Sequence, residues 1–416
     1  MDLTAQERAI AAGAQGEAAA LAMRLVSETG RLLGAPRLIP VASAHIDGAL
    51  YHGDSGVLFA ERLVAEGGRV AVPASLNVGA LDLMRPGNVR LPAHQRDMAK
   101  RLMRAYEALG CRPTWTCAPY QAGHRPRAGT DVAWGESNAV AFCNSVLGAR
   151  TNRYGDFLDI ACALVGRAPL TGLHLPENRR PSLVVDLTAL SARLRRESAF
   201  FPVLGAWLGR RVGSDVALLV GLDGACGEDD LKALGAAAAS SGAVGLFHVA
   251  GVTPEAREWD AHGFPDLPRI VLDAAALLEA RARLSSAGAG VERIDAVAIG
   301  SPHASADECA ALLRRLAGRR VAVPFYVNTG RHVIAALDET GARAALEEAG
   351  ITFVVDTCIV VTPILSGASG VLMTNSGKFA HYAPGNTGWE TLYGSLGDCV
   401  ESAVSGRVVR DEELWR

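Results

Sequence analysis

Three stretches share one plan: AVGLFHVAGVTPEA (243–256), IDAVAIGSPHASADE (294–308) and ITFVVDTCIVV (351–361). Each is built on an apolar, β-branched run too short for a helix and uninterrupted by charge, as a strand covered on both faces requires. The first two then turn through glycine into a loop with histidine and proline and an acidic helix start. Strands that alternate with helices in this way specify an α/β fold with a mostly parallel sheet. The C-terminal ends of parallel strands gather on one rim, where ligands bind, so His248, His303 and Cys358 are expected on a common edge.

The N-terminal half follows the same grammar. RLIPVASAHIDG (37–48), GRVAVPASLNVG (68–79) and RPTWTCAPYQ (112–121) read as buried strands that deliver polar side chains at their ends. Between the last two, AHQRDMAKRLMRAYEALG (93–110) is a helix stopped by Gly110, and Thr4 followed by Glu7 is a capping box opening the first helix. The arginine-rich ENRRPSLVVDLTALSARLRRESAFFP (177–202) separates the halves, which suggests lobes 1–200 and 201–416.

A chain of 416 residues exceeds one ordinary core and has the size of a multi-lobed enzyme. With 41 basic and 44 acidic side chains it carries a formal charge of −3 and no basic stripe, which argues against a nucleic-acid partner. The start MDLTAQERAI lacks an apolar core, so no signal peptide is read and a cytoplasmic location is expected. ALGAAAASSGAVGLFHVAGV (233–252) is nearly free of charge, but Ala, Gly and Ser gain little from lipid; it reads as an alanine-rich helix running into a buried strand, not a membrane span. Arginine is the default cation: Lys100, Lys232 and Lys378 are the only lysines.

Eight scattered cysteines with no C-x-x-C pair do not form a disulfide framework. Cys117 lies just past a strand signal, Cys358 at another strand end, and Cys399 follows a Ser395-x-x-Asp398 cap that places it at a helix start, where a thiolate is stabilised. Three such thiolates could hold a metal or an iron–sulfur cluster, although most cysteines in a chain of this kind are simply buried apolar side chains. Around AWGESNAVAFCNSVLGARTNR (133–153), Glu136, Ser137, Asn138, Asn144 and Arg150 supply carboxylate, hydroxyl, amides and guanidinium; His45, Asp47 and Asn77 offer similar groups. Glu-Ser-Asn reads equally well as a helix cap. MTNSGKFAHYAPG (373–385) resembles an anion-binding turn without being a Walker loop, and Lys378 invites a functional role in a chain that avoids lysine.

Taken together, AHIDGALYHGD (44–54), VPASLNVGALDL (72–83), PTWTCAPYQ (113–121), GLHLPENR (172–179), GSPHASADE (300–308), VVDTC (354–358) and GDCVESAVSGR (397–407), in that order, resemble the large subunit of the aconitase X family. The resemblance implies an aconitase-like multi-lobed α/β architecture with the site at strand C-terminal ends between lobes. It implies a hydro-lyase that removes water from a β-hydroxy acid. An iron–sulfur cluster of [2Fe-2S] or [3Fe-4S]/[4Fe-4S] type would be held by Cys117, Cys358 and Cys399. Lys378 and Glu136 are the candidate catalytic groups, and His45, Asn77, Ser137, Asn138, Arg150 and Lys378 the candidate substrate contacts. A small swivelling-domain subunit carrying a serine base is the implied partner, making a heterodimer. The implied substrate is cis-3-hydroxy-L-proline, with mevalonate 5-phosphate as the alternative; abundant Ala, Gly and Arg favour the first. Ala74 stands where a threonine is expected, leaving Ser75. A non-catalytic scaffold subunit and a zinc hydrolase on the same thiolates are the readings from other classes.

Overall fold

A computed structural model describes residues 1–222, 226–260 and 263–415. The chain forms two compact units, Met1–Leu81 with Leu91–Arg180, and Asp82–Arg90 with Pro181 onward. Among the described residues no helix is long and apolar enough to cross a membrane.

The first unit contains, in order, α1 (Ala5–Ala11), α2 (Glu17–Leu32), β1 (Leu38–Pro40), β2 (Ala44–Ile46), α3 (Asp54–Ala65), β3 (Ala74–Leu76), α4 (Ala93–Ala108), β4 (Ala133–Trp134), α5 (Ser137–Ser145), α6 (Leu158–Val165) and β5 (Arg167–Pro169). The Thr4–Glu7 capping box is formed on α1. β3, β2 and β4 make a parallel sheet with Ser75 and Trp134 flanking His45. Strands this short bury little by themselves; what they fix is the rim just beyond them, where Asp47, Asn77 and Glu136 emerge side by side. The segment 112–121 is not the strand its apolar run suggested. It makes one bridge, Arg112 to Ser75, and then runs as a loop, because Pro113 and Pro119 lack the N–H that a central strand donates.

The second unit contains β6 (Leu183–Asp186), α7 (Phe200–Val212), β7 (Ala217–Val220), α8 (Glu228–Ser241), β8 (Phe247–Val249), β9 (Arg269–Val271), α9 (Ala274–Arg283), β10 (Ala296–Ala304), α10 (Ala306–Leu316), β11 (Phe325–Thr329), α11 (Arg331–Thr340), α12 (Ala342–Glu348), β12 (Ile351–Val355), β13 (Val371–Thr374), α13 (Gly377–Thr387), β14 (Glu390–Tyr393) and α14 (Leu396–Ser405). Two parallel sheets result, β8-β7-β6-β9 and β12-β11-β10-β13-β14. The larger is the one the opening stretches decide: Val297, Val327, Phe353 and Met373 from its strands close a core with Leu312, Leu316, Val400 and Ala403 from α10 and α14.

The expected common edge is therefore divided. His303 and Cys358 belong to the rim of the five-stranded sheet, whereas His248 lies on β8, the edge strand of the other sheet, with its ring 4.9 Å from Trp259. The stretch 243–256 ends in a 3-10 turn, Pro254–Ala256, and among the described residues no α-helix separates β8 from β9, so it is not equivalent to 294–308.

Candidate active site

At the rim of the first unit, His45 is fully buried, and its Nδ1 lies 2.8 Å from the Ser75 hydroxyl. That hydroxyl is also 2.6 Å from Nδ1 of His124, whose Nε2 meets Ser43 Oγ at 2.8 Å. A hydroxyl can donate to one imidazole and accept from the other, so Ser75 is committed to this chain. Burial first, and then the neighbouring His124, push His45 down to about 3, and burial pushes His124 down to about 4. Both rings are neutral near pH 7. Nε2 of His45 is buried and has no hydrogen-bond partner among the described residues.

Two amides at this rim are oriented by chemistry alone. Asn138 Nδ2 donates to the Cys117 carbonyl at 2.8 Å, and Asn77 Nδ2 donates to the Asp47 carboxylate. Neither acceptor can donate, so both Oδ1 atoms must face elsewhere. Both are buried and have no partner among the described residues. They are acceptors waiting for a donor. The turn that carries Asp47 is fixed from below: Asp159 Oδ2 accepts from the amides of Asp47 and Gly48 at 2.7 and 3.1 Å, and burial pushes that carboxyl up to about 8.

Glu136 is itself the N-cap of α5, its Oε2 accepting from the Ala139 amide at 2.7 Å while Ser137 Oγ lies 3.4 Å from Oε1. Its φ of +62° is a left-handed conformation that costs a non-glycine residue on the order of 1–3 kcal/mol. Trp115, two residues before Cys117, and Asp356, two before Cys358, share the feature at +45° and +66°. Asn144 is not a ligand group: its amide brackets Thr151 and accepts from the buried Arg179, which staples the Asn144, Ala149 and Leu173 carbonyls. Arg150 is half-buried, with its backbone paired to Thr130 and Val132.

In the second unit, the Cys358 loop follows β12 at the sheet rim. His303 Nε2 lies 3.0 Å from the Thr357 carbonyl, and Asn328 Oδ1 accepts from the Ile359 amide at 2.9 Å, so the residues on both sides of Cys358 are held. Asp356 is clamped by Arg331 through two hydrogen bonds of 2.5 and 3.0 Å, yet burial still raises its carboxyl. Lys378 is buried in the first turn of α13, close enough to help depress His303, which burial pushes to about 3. The expected anion turn at 374–378 is accounted for differently. Ser376 caps α13 through the Phe379 amide, and a Cβ on Gly377 would stand 2.9 Å from Ala237 Cβ, so that glycine serves the packing of α13 on α8.

The three candidate thiols have two kinds of setting. Cys117 and Cys358 are buried in rim loops with their flanking backbone anchored, which suits soft thiolate donors. Cys399 is fully buried in the apolar cluster that also holds Cys309, Met373, Leu392 and Val400. The Ser395–Asp398 capping box forms as expected, but burial and then the Asp398 carboxylate push the Cys399 thiol well up, reversing the thiolate stabilisation expected at a helix start. Among the described residues neither unit by itself gathers three His, Cys, Asp or Glu side chains into a metal-holding group.

The sequence does not single out His124, Asp159 or Asn328. Asp159 is masked by the apolar run around it, and His124 sits in a loop without a motif; Asn328, in the strand-end signal YVNTG, was the one that could have been found.

Aconitase X family models match residues 1–177 (first domain), 181–282 (second) and 294–405 (third). A cis-3-hydroxy-L-proline dehydratase of Pseudomonas aeruginosa is 43% identical over 99% of this chain and 72% of its own length. One from Hypocrea jecorina is 40% identical, over 98% and 69%. A phosphomevalonate dehydratase large subunit of Methanothermobacter thermautotrophicus is 37% identical over 92% of this chain and 93% of its own. The crystal structure of Thermococcus kodakaraensis aconitase X in its holo-form superposes with a TM-score of 0.86, at 32% identity, over 97% of this chain and all of that one. With matching models along nearly its whole length, on the α/β framework described above, the chain belongs to the aconitase X family.

Proposed function

We propose that this chain is the catalytic part of an iron–sulfur-dependent hydro-lyase that converts cis-3-hydroxy-L-proline to Δ1-pyrroline-2-carboxylate. The observation that carries the choice of substrate is the pair of buried amide oxygens, Asn77 Oδ1 and Asn138 Oδ1, turned toward a missing donor. A cyclic amino acid brings a secondary ammonium that supplies such donors; a phosphate brings acceptors. The names of the relatives at 43% and 40% identity agree with this reading.

In the reaction the proton on Cα and the hydroxyl on Cβ leave as water, and the resulting enamine tautomerises to the cyclic imine. Asn77 and Asn138 orient the ring nitrogen. Lys378, buried in the first turn of α13, suits the substrate carboxylate and the negative charge that builds on it as the Cα proton departs. His45 Nε2 offers a neutral imidazole nitrogen to a substrate hydroxyl, and Glu136 fixes the start of α5 so that Ser137 and Asn138 stay in place. Cys117 and Cys358 would hold the cluster, which supplies a Lewis acid for the departing hydroxyl. Arg150 remains a candidate second contact for the carboxylate. The proton is taken by a serine on a small swivelling-domain subunit; relatives named "large subunit" support such a partner.

The test is an anaerobic reconstitution with that subunit, assayed on both cis-3-hydroxy-L-proline and mevalonate 5-phosphate. Turnover of the first and not the second is expected. Turnover of mevalonate 5-phosphate alone would overturn the substrate, and a colourless protein with stoichiometric zinc would overturn the cluster.

A further inference from the structure

Lys232, one of only three lysines, has no part in the site as described, yet it is 2% exposed on α8 in the second unit. Its ammonium lies 2.7 Å from Asp229 Oδ1, 2.5 Å from Glu308 Oε2 and 3.3 Å from the carbonyl oxygen of His303. An ammonium has three protons, and here each has an acceptor. Both carboxylates are in turn tied to the start of α10: Ser305 Oγ donates to Asp229 Oδ2 at 2.5 Å and the Ser305 amide donates to Glu308 Oε2 at 2.8 Å. The lysine thus binds α8 to the point where β10 ends and α10 begins.

A buried ion cluster adds little stability over an apolar filler of the same volume, so stability alone does not account for it. What it fixes is direction. The His303 carbonyl is held on one side by Lys232, and the His303 ring reaches the Thr357 carbonyl on the other. A carbonyl only accepts, so Nε2 of His303 carries the proton and donates it. Thr357 precedes Cys358, and the residue after it is held by Asn328, whose Nδ2 is anchored on the Ile299 carbonyl at 2.7 Å.

We infer that Lys232 is a positioning residue which acts through the His303 backbone and ring to hold the Cys358 loop in its ligating conformation. The inference rests on the proposed role of Cys358 but can be tested without turnover.

In iron-free full-length protein, the rate at which iodoacetamide alkylates Cys358 is followed by peptide mass spectrometry, with the half-buried Cys226 as internal reference. His303→Leu and Lys232→Met should each accelerate Cys358 labelling about tenfold or more as the loop opens locally, with Cys226 unchanged. His303→Gln, which keeps an N–H donor, should restore the slow rate. Should Lys232→Met fail to fold, the variant that also carries Asp229→Asn and Glu308→Gln leaves no unpaired buried charge and must show the same acceleration. If the variants lower the melting temperature but leave Cys358 labelling and the visible absorption of the iron-loaded protein at wild-type values, the network is structural only and the inference falls. Accelerated Cys358 labelling in the variants, together with a wild-type reconstituted enzyme that does not dehydrate cis-3-hydroxy-L-proline, would sink the proposed function and leave this inference standing.

Discussion

Asn77 and Asn138 are the residues on which the substrate assignment turns, because a leucine at either position keeps the volume and removes the acceptor. Asn77→Leu and Asn138→Leu should each raise KM for cis-3-hydroxy-L-proline about tenfold, roughly the cost of one lost hydrogen bond to a charged group. A smaller change in both would count against the amide contacts. At the cysteines the structure sharpens what the sequence offered. Cys358→Ala is expected to lose iron and activity. Cys399→Ala, deleting a sulfur from a packed apolar cluster, should behave like Cys309→Ala, costing about 1–2 kcal/mol in urea unfolding while retaining iron. Iron loss in Cys399→Ala would return it to the ligand set. The residue types at the site were legible one by one; their partners were not. Nothing in the string marks Ser75 as held between His45 and His124, or Asn144 as the seat of Arg179, because such pairings join residues tens of positions apart.

Elements are legible in the sequence where the signal is local. Both capping boxes, the alanine-rich α8 and the strand ends at 46, 76 and 355 follow from short-range chemistry. Local signal does not distinguish an apolar run shared by strand and loop, as at 112–121, or two similar runs that enter different sheets, as at 243–256 and 294–308. Two predictions belong to this scale. Gly377→Ala should destabilise the protein by about 1–3 kcal/mol, because α13 then meets α8 too closely; a change within 0.5 kcal/mol in urea unfolding would show that the helices give way. His45, on β2, titrates near its ordinary 6.5 when unfolded but at about 3 when folded. As pH falls below 6.5 the unfolded chain takes up the proton first, so stability is lost, at about 1.4 kcal/mol per pH unit, until the folded ring titrates. His45→Asn should therefore flatten the fall in unfolding free energy between pH 6.5 and 5, and an unchanged slope would contradict the buried neutral ring.

For the molecule as a whole, the parallel α/β architecture was legible because uninterrupted apolar strands admit few other arrangements, and the ordered motifs led to the family that the comparisons show. The composition of the units was not legible. Residues 82–90 belong to the second unit although the chain on both sides of them belongs to the first. Asp82 is fully buried there, its Oδ1 accepting from the amides of Met84 and Arg85 and its Oδ2 from Asn88 and the Val355 amide. Asp82→Ala, which strips the acceptor from four donors at once, the buried Val355 amide among them, should lower the unfolding free energy by about 1–3 kcal/mol, checked by urea titration.

This nine-residue excursion also sets an order of events during synthesis. Asp82 leaves the ribosome 273 residues ahead of Val355, and Asn88 leaves 265 residues ahead of Phe353, whose carbonyl its side chain meets. A segment made early must therefore wait for its partners on β12, which are made late. A gene cut at residue 180 would therefore yield a second half that lacks part of its own interior.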